Sequence, residues 1–552
     1  MAPGRRRPRP RCDSHHPLRR GVARRDDPST LKQATAGAFD TAVAQRLAQL
    51  EDAHVPRRIW DRDPTVWKDD PGTPEIADRL GWLTVVGAML DETATLTAFA
   101  AEIRASCDRV VLCGMGGSSL APEVLRRTFG SARGHPSLVV LDSTDPRAVA
   151  AAAAGDLTRT LFLISSKSGT TLETDCFFRY FWERARGRGD QFVAITDPDT
   201  PLARLARESG FRQAFLNPPD IGGRYSALSY FGLVPAALLG IDVRRLLQRA
   251  QRVAEACARE VPAVDNPAAR LGAILGAAAM DGRDKLTFVL SPGIASLGLW
   301  AEQLIAESTG KEGKGILPVV GEPLGAPDVH GRDRVFVALT LAGEEDRTVA
   351  TRLAALEGAG HPLVRLTLAD PYDVGQEFFR WEFATAVAGA ILRINPFDQP
   401  NVAETKANTT AALASRVAPA PPVPSSAAEL RAFLAAIRPG DYLALMAYLP
   451  PTAEYDRRLE AIRLRLRDRL KVATTLGYGP RLLHSTGQLH KGGPPGGHFL
   501  QITEAAREDV AIPGRPFTFG ALEAAQAAAD LRALRARGRP ALRVEGLELL
   551  ER

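Results

Sequence analysis

Two short loops carry residues whose types and spacing suit one task, gripping a phosphate ester. The first, Gly114-Met115-Gly116-Gly117-Ser118-Ser119, follows the apolar run RVVLC and precedes the helical stretch LAPEVLRRTFG. Its glycines admit an anion close to the backbone, and the free N–H groups and dipole of the next helix attract it. The second, Ser165-Ser166-Lys167-Ser168-Gly169-Thr170-Thr171-Leu172-Glu173, lies between TLFLI and another helical stretch. Five hydroxyls within residues 165–171, with Lys167 among them, are more than a helix N-cap uses by itself. Neither loop reads as a nucleotide site. GMGGSSLAP lacks the third glycine of a dinucleotide loop, and the G-x-x-x-x-G-K-[ST] pattern of a nucleotide P-loop is absent.

These loops need strands before them and helices after them, and the pattern supplies both. RVVLCG, SLVVLDS, TLFLIS and QFVAIT are short β-rich runs, each followed by a Gly, Ser or Asp turn and a helical stretch. The alternation resumes with KLTFVLS, RVFVALTL and PLVRLTL, separated by helical stretches and closed by the long helix around EFFRWEFATAVAGAILRI. Such order predicts an α/β fold with parallel sheets covered by helices. Two α/β units in tandem follow, over 36–245 with a helical entry and over 246–416. VAPAPPVPSSA, at 417–427, reads as a linker. DYLALMAYLP, YDRRLEAIRLRLRDRL, HFLQIT and GALEAAQAAADLRALRARG then predict a smaller C-terminal α/β module over 428–552. The alternating charges of the arginine-rich helix read as a solvated face.

Length and charge bound the rest. At about 150 residues per domain, 552 residues exclude a single small module. Hydrophobic content of 45% with 24% charged residues is that of a globular chain. The net charge of +6 invites a polyanion partner, but residues 1–25 carry nine arginines against Asp13 alone, so a +8 tail is attached to a −2 body. The tail, taken as 1–35, reads as disordered, since its prolines spoil an amphipathic transit helix and it lacks the apolar run of a secretory signal. No nucleic-acid partner and no membrane span follow. Cys12, Cys107, Cys113, Cys176 and Cys257 are scattered without metal-ligand spacing, which predicts no metal site and a reduced, cytoplasmic chain.

GMGGSSLAPE followed some 50 residues later by SSKSGTTLET resembles the sugar-isomerase domain, a flavodoxin-like fold that binds phosphosugars. GGRYSALSYFGLVPAALLGID (222–242), AESTGKEGKGILPV (306–319) and FDQPNVAETK (397–406) resemble, in order, the signature segments of the glucose-6-phosphate isomerase family. RRIWDRDPTVWK and TLGYGPRLLHSTGQLHKGGPPGGHFLQIT are similar to the isomerase half of bacterial bifunctional transaldolase/glucose-6-phosphate isomerase proteins. In those proteins a transaldolase barrel, which needs at least about 200 residues, precedes the isomerase, and here only the short basic tail does, so transaldolase activity is not expected.

The resemblance implies two tandem sugar-isomerase domains and an aldose–ketose isomerase, free of cofactors, that interconverts glucose 6-phosphate and fructose 6-phosphate through a cis-enediolate. It assigns Glu307 as the base that takes a proton next to a carbonyl, and Arg224 as the cation facing the developing enediolate. Lys406 would stand near the ring oxygen and Gln399 at the sugar or the phosphate, although Asn401 and Thr405 depart from the family pattern. Ser118, Ser166, Lys167, Ser168, Thr171 and Glu173 would surround the phosphate, with Gly117 letting the chain pass close to the sugar. Ring opening in the family uses a histidine of the partner subunit, which implies a homodimer. His330 holds about that place without the family's GQH pattern; His484 and His490 are alternatives, and His361 is structural. A phosphosugar-sensing module is the competing function, but a sensor needs no base, and no helix-turn-helix is evident. The same chemistry extended to mannose 6-phosphate is a further possibility.

Overall fold

The computed structural model describes residues 38–401, 409, 413, 425–504 and 508–552, with 32–34 and 38 as backbone only. The basic tail up to residue 31, Lys406 and most of the 417–427 linker lie outside the described residues.

Fourteen strands among the described residues form three sheets. β1 (Lys32–Ala34), within the stretch read as tail, pairs antiparallel with the edge of the second sheet. There its backbone groups find partners in place of water. β2 (Arg109–Cys113), β3 (Ser137–Leu141), β4 (Thr160–Ser165), β5 (Phe192–Thr196) and β6 (Gln213–Leu216) form the first sheet, parallel throughout, in the order β3-β2-β4-β5-β6. β7 (Lys285–Leu290), β8 (Leu317–Val319), β9 (Arg334–Leu341) and β10 (Leu363–Leu368) complete the second, in the order β1-β10-β9-β7-β8. β11 (Tyr442–Tyr448), β12 (Ala473–Tyr478), β13 (Gly497–Thr503) and β14 (Ala541–Glu545) form the third, again parallel, in the order β12-β11-β13-β14. Counting each sheet's parallel strands from its own first strand, all three share the sequence 2-1-3-4. In such doubly wound sheets ligands bind outside the carboxyl ends of the strands, where the order reverses.

The strand runs are continuously apolar because helices cover both faces. The first two sheets share one hydrophobic core, whose centre is the buried helix Val374–Leu392 packed on helices Val243–Ala256, Pro267–Met280 and Leu297–Thr309. Gly375 and Gly272 permit two of these crossings, since a Cβ would overlap Leu246 O at the first and lie 2.6 Å from Ala384 O at the second. The aromatic connector is bolted to the same core: Trp60 Nε1 donates to Cys257 O (2.7 Å) and Trp67 Nε1 to Ala386 O (2.8 Å).

The third sheet docks on the second through helix Ala453–Leu470, and here one expectation fails. Arg463 and Arg467 of the arginine-rich helix are buried, not solvated. Arg463 donates to Thr474 O and to Val320 O (2.9 Å), and Arg467 to Pro323 O, so these two cations satisfy carbonyls at the seam. Beside them Arg334 pairs with Glu322 (2.9 Å), whose other oxygen accepts from Thr474 Oγ1 (2.8 Å).

Candidate active site

Both phosphate-type loops stand where the pattern places them, after β2 and β4 of the first sheet, and both face one pocket of about 610 Å³. The first loop tightens into a 3-10 turn, Gly116–Ser118, before helix Leu120–Phe129, with Gly116 at φ +56°. Ser165 Oγ donates to Ser118 O (3.1 Å), tying the two loops together. The second loop ends at Thr171, the cap of helix Leu172–Arg184. Gly117, Ser118, Lys167, Ser168 and Thr171 line the pocket. Ser166 does not: it is buried behind the loop, its hydroxyl 3.0 Å from that of Thr171, and lines a second cavity of about 320 Å³. The Lys167 ammonium is already engaged, paired with Asp197 and donating to Pro219 O (2.9 Å). Gly117 serves close packing as well, since its Cα faces the backbone of Gly223, next to Arg224.

The opposite wall comes from helix Leu297–Thr309 and the loop after helix Val374–Leu392. Glu307 and Gln303 share one face of the first helix, four residues apart, and Gln303 Nε2 donates to Glu307 Oε2 (3.0 Å). Arg224 is buried, and all three of its guanidinium nitrogens are engaged. Nε donates to Ser308 Oγ (2.8 Å), one Nη to Gln399 Oε1 (2.7 Å), and the other Nη to Pro396 O and Asp398 O (2.6 and 3.0 Å). The Nη bound to Gln399 also pairs with Glu307, at 3.3 Å from Oε1. A fixed cation thus stands directly beside a carboxylate, the pairing needed to hold charge that appears only during a reaction.

Lys406 is outside the described residues. Lys311, four residues beyond Glu307, binds Asn395 O, Asp398 O and Asp398 Oδ1, each at 2.6 Å. Burial, with Arg224 nearby, pushes its ammonium down to about 7.

His330 is not in the pocket, which corrects its candidacy. Its ring is sealed inside the second unit, edge-on to Phe336 at 5.3 Å, with Nε2 accepting from Gly325 N (3.2 Å). Its side chain has no exposed surface, so it can reach neither this pocket nor one on another subunit. Burial, reinforced by Arg334, lowers its imidazole to about 4. His490 is likewise buried, without a partner on either nitrogen and pushed down to about 3. His361 packs edge-on to Phe336 (5.3 Å), a structural place. His484 does line the pocket, and its Nε2 lies 2.9 Å from Glu173 Oε1, in hydrogen-bond contact. Glu173 therefore stands behind a histidine, buried, rather than on the pocket wall.

Glu75, Arg79, Asp197 and Gln303 also line the pocket and escaped the reading of the sequence. For Gln303 a signal existed, its place one helical turn before Glu307. For the others there was none, because they come from loops that meet only in the fold. Glu302, on the same helix, lies near Arg463 and Arg481 of the third module, where burial raises its carboxyl to about 7.

Comparison with known proteins gives the family. A family model described as phosphoglucose isomerase matches residues 90–315. A protein of Carboxydothermus hydrogenoformans named glucose-6-phosphate isomerase is 31% identical over 386 residues, covering 58% of this chain and 82% of its own. One of Symbiobacterium thermophilum with the same name is 32% identical over 391 residues, covering 60% and 86%. Among solved structures, a hypothetical protein of Thermus thermophilus superposes over 70% of this chain and all of its own, with a TM-score of 0.59 and 25% identity. A glucose-6-phosphate isomerase of Chlamydia trachomatis has the same fold, with a TM-score of 0.58, 20% identity, and 69% and 87% of the two chains covered. With the ordered motifs, the sheet order and these relatives in agreement, the chain belongs to the phosphoglucose isomerase family.

Proposed function

We propose that the chain is an aldose–ketose isomerase that interconverts D-glucose 6-phosphate and D-fructose 6-phosphate. The observation that carries this reading is the Glu307 carboxylate beside the Arg224 guanidinium, 3.3 Å apart, in the pocket lined by Ser118, Ser168 and Thr171. The phosphate sits at the hydroxyls and at the N-terminus of helix Leu172–Arg184, and its remote binding energy positions the reacting carbons.

In the open-chain aldose Glu307 takes the proton from C2. The C–H electron pair becomes the C1–C2 double bond, and the C1 carbonyl oxygen gains the negative charge, which Arg224 stabilises. A proton passes from the C2 oxygen to the C1 oxygen, and Glu307 returns its proton to C1, leaving the ketone at C2. Arg224 needs no reorganisation for this, because its other N–H groups are anchored on Ser308, Gln399, Pro396 and Asp398. Lys311 holds the loop that presents Gln399. The four described cysteines are free and buried, which supports a cytoplasmic setting.

A coupled assay for glucose 6-phosphate formed from fructose 6-phosphate tests the reading, on wild type and Glu307→Gln. We expect kcat to fall by a factor of about 10²–10⁴ in the variant, the usual contribution of a positioned base. Equal turnover in both would remove Glu307 from that role, and phosphosugar binding without turnover in wild type would make the protein a sensor.

A further inference from the structure

The C-terminal module closes on the pocket of its own chain. Arg481 grips both oxygens of Asp142, each at 2.7 Å, at the foot of the first sheet's loops. Three residues later, His484 O accepts from Gln303 Nε2 (2.8 Å), the amide that also holds Glu307. Gly116 meets His484 backbone to backbone, since a Cβ on Gly116 would lie 2.8 Å from His484 O. Gln488 Nε2 donates to Gly310 O (3.1 Å), just past the end of the Glu307 helix.

His484 is the one histidine among the described residues that lines this pocket. An ionised carboxylate only accepts, so Nε2 carries the proton shared with Glu173 and Nδ1 is the basic nitrogen. The same Glu173 oxygen accepts from Gln526 Nε2 (2.7 Å), on helix Phe519–Ala536 of the module. Thr144 Oγ1 donates to Gln526 Oε1 (2.9 Å), which settles which end of the amide faces Glu173. The ring and its orienting carboxylate are thus clamped from both sides by elements of one chain.

We infer that the C-terminal module takes the place of a second subunit. It delivers His484 to its own chain's pocket as the acid–base group that opens the hexose ring, with Glu173 and Gln526 as positioning residues, so that one chain brings Glu307, Arg224 and His484 to one pocket. The inference rests on the isomerase reading. In the ring-opening step Nδ1 accepts the proton of the C1 hydroxyl and the O–H electron pair forms the C1 carbonyl. The C1–O5 bond breaks toward O5, and the proton passes from the imidazolium to O5. Glu173 stabilises the transient imidazolium. A histidine crossing an interface, the basis for expecting a homodimer, is not required.

The test uses full-length chains. His484→Asn and Glu307→Gln are each made alone, then co-expressed with different affinity tags and carried through both purification steps. His484→Asn is expected to lower kcat by about 10²–10⁴ with the fold retained by circular dichroism. A doubly tagged species, if one forms, is expected to show no recovery, and its failure to form while wild type is active also supports a single-chain unit. Recovery of about half the wild-type kcat, the value for one intact site of two in a heterodimer, would overturn the inference; so would wild-type activity in His484→Asn. Gln526→Leu should lower kcat about tenfold with KM within twofold and shift the pH profile of kcat, a pattern that loosened packing alone does not produce. An unchanged kcat and profile would remove Gln526 from the positioning role. Inactive wild type would instead overturn the isomerase reading itself.

Discussion

Gly117→Ala puts a methyl group where the first phosphate loop meets the turn that carries Arg224. That methyl would overlap the carbonyl of Gly223 and stand 2.9 Å from its Cα. Non-bonded carbons settle at about 3.5–4.0 Å, so the loops must part by at least ~0.6 Å at the Cα and by more at the carbonyl. Both walls are backbone, and no rotamer can absorb the change. Overpacking of this kind costs about 1–3 kcal/mol. The functional cost is larger, because Gly223 precedes Arg224, whose guanidinium is hydrogen-bonded to four fixed acceptors and paired with Glu307. A displacement near 1 Å in such a site costs on the order of 10² in rate. We expect kcat in the fructose 6-phosphate assay to fall by about 10–100-fold, with a lowered thermal midpoint and unchanged circular dichroism. Gly223→Ala is the companion for folding, since a Cβ there meets nothing within 4 Å, and its thermal midpoint should match wild type. A Gly117→Ala enzyme with kcat within about threefold of wild type and an unaltered midpoint would refute the claim that this contact sets the position of Arg224.

Glu523 is buried in the third module, and burial raises its carboxyl to about 8, with Asp145 adding to the shift. The folded state therefore holds a proton that the unfolded chain releases near pH 4.5, so this group's contribution to stability falls as pH climbs from about 5 to 8. Glu523→Gln removes that penalty, by at most ~5 kcal/mol at 1.36 kcal/mol per unit, and its advantage in denaturant midpoint over wild type should grow across that range. A difference independent of pH would count against the assignment. Gly87 is exposed within helix Val85–Asp91 with open space around a built Cβ. Gly87→Ala should stabilise that helix by ~0.5–1 kcal/mol, read as amide exchange slowed about two- to fivefold, and faster exchange would refute it.

Much of the architecture was legible because parallel strands buried on both faces declare themselves as apolar runs, as in TLFLIS and RVFVALTL, now β4 and β9. The strands that escaped notice are those that lack that signature. β8 is three residues with a proline at its centre, and β6 has exposed residues at both ends of its four. The arginine-rich helix misled for a related reason: charge alternation marks a solvated face only when no carbonyl-rich seam lies opposite, and Val320 and Pro323 provide one.

The site divides along the same line. Chemistry that lives in a contiguous segment, the two hydroxyl loops after their strands, could be named from residue type and order, because local backbone geometry places those groups; Glu307 was reached only through the resemblance of its segment to a family. Whatever depends on segments far apart in the chain could not. That His330 is sealed against Phe336, that Lys167 is bound to Asp197, and that Glu173 orients His484 across 311 residues are consequences of packing, which no local pattern encodes. The sequence left His330, His484 and His490 open, and only the folded chain shows that His484 alone of these lines the pocket: sequence spacing sets what a segment can become, and the closing of three sheets decides which side chains meet.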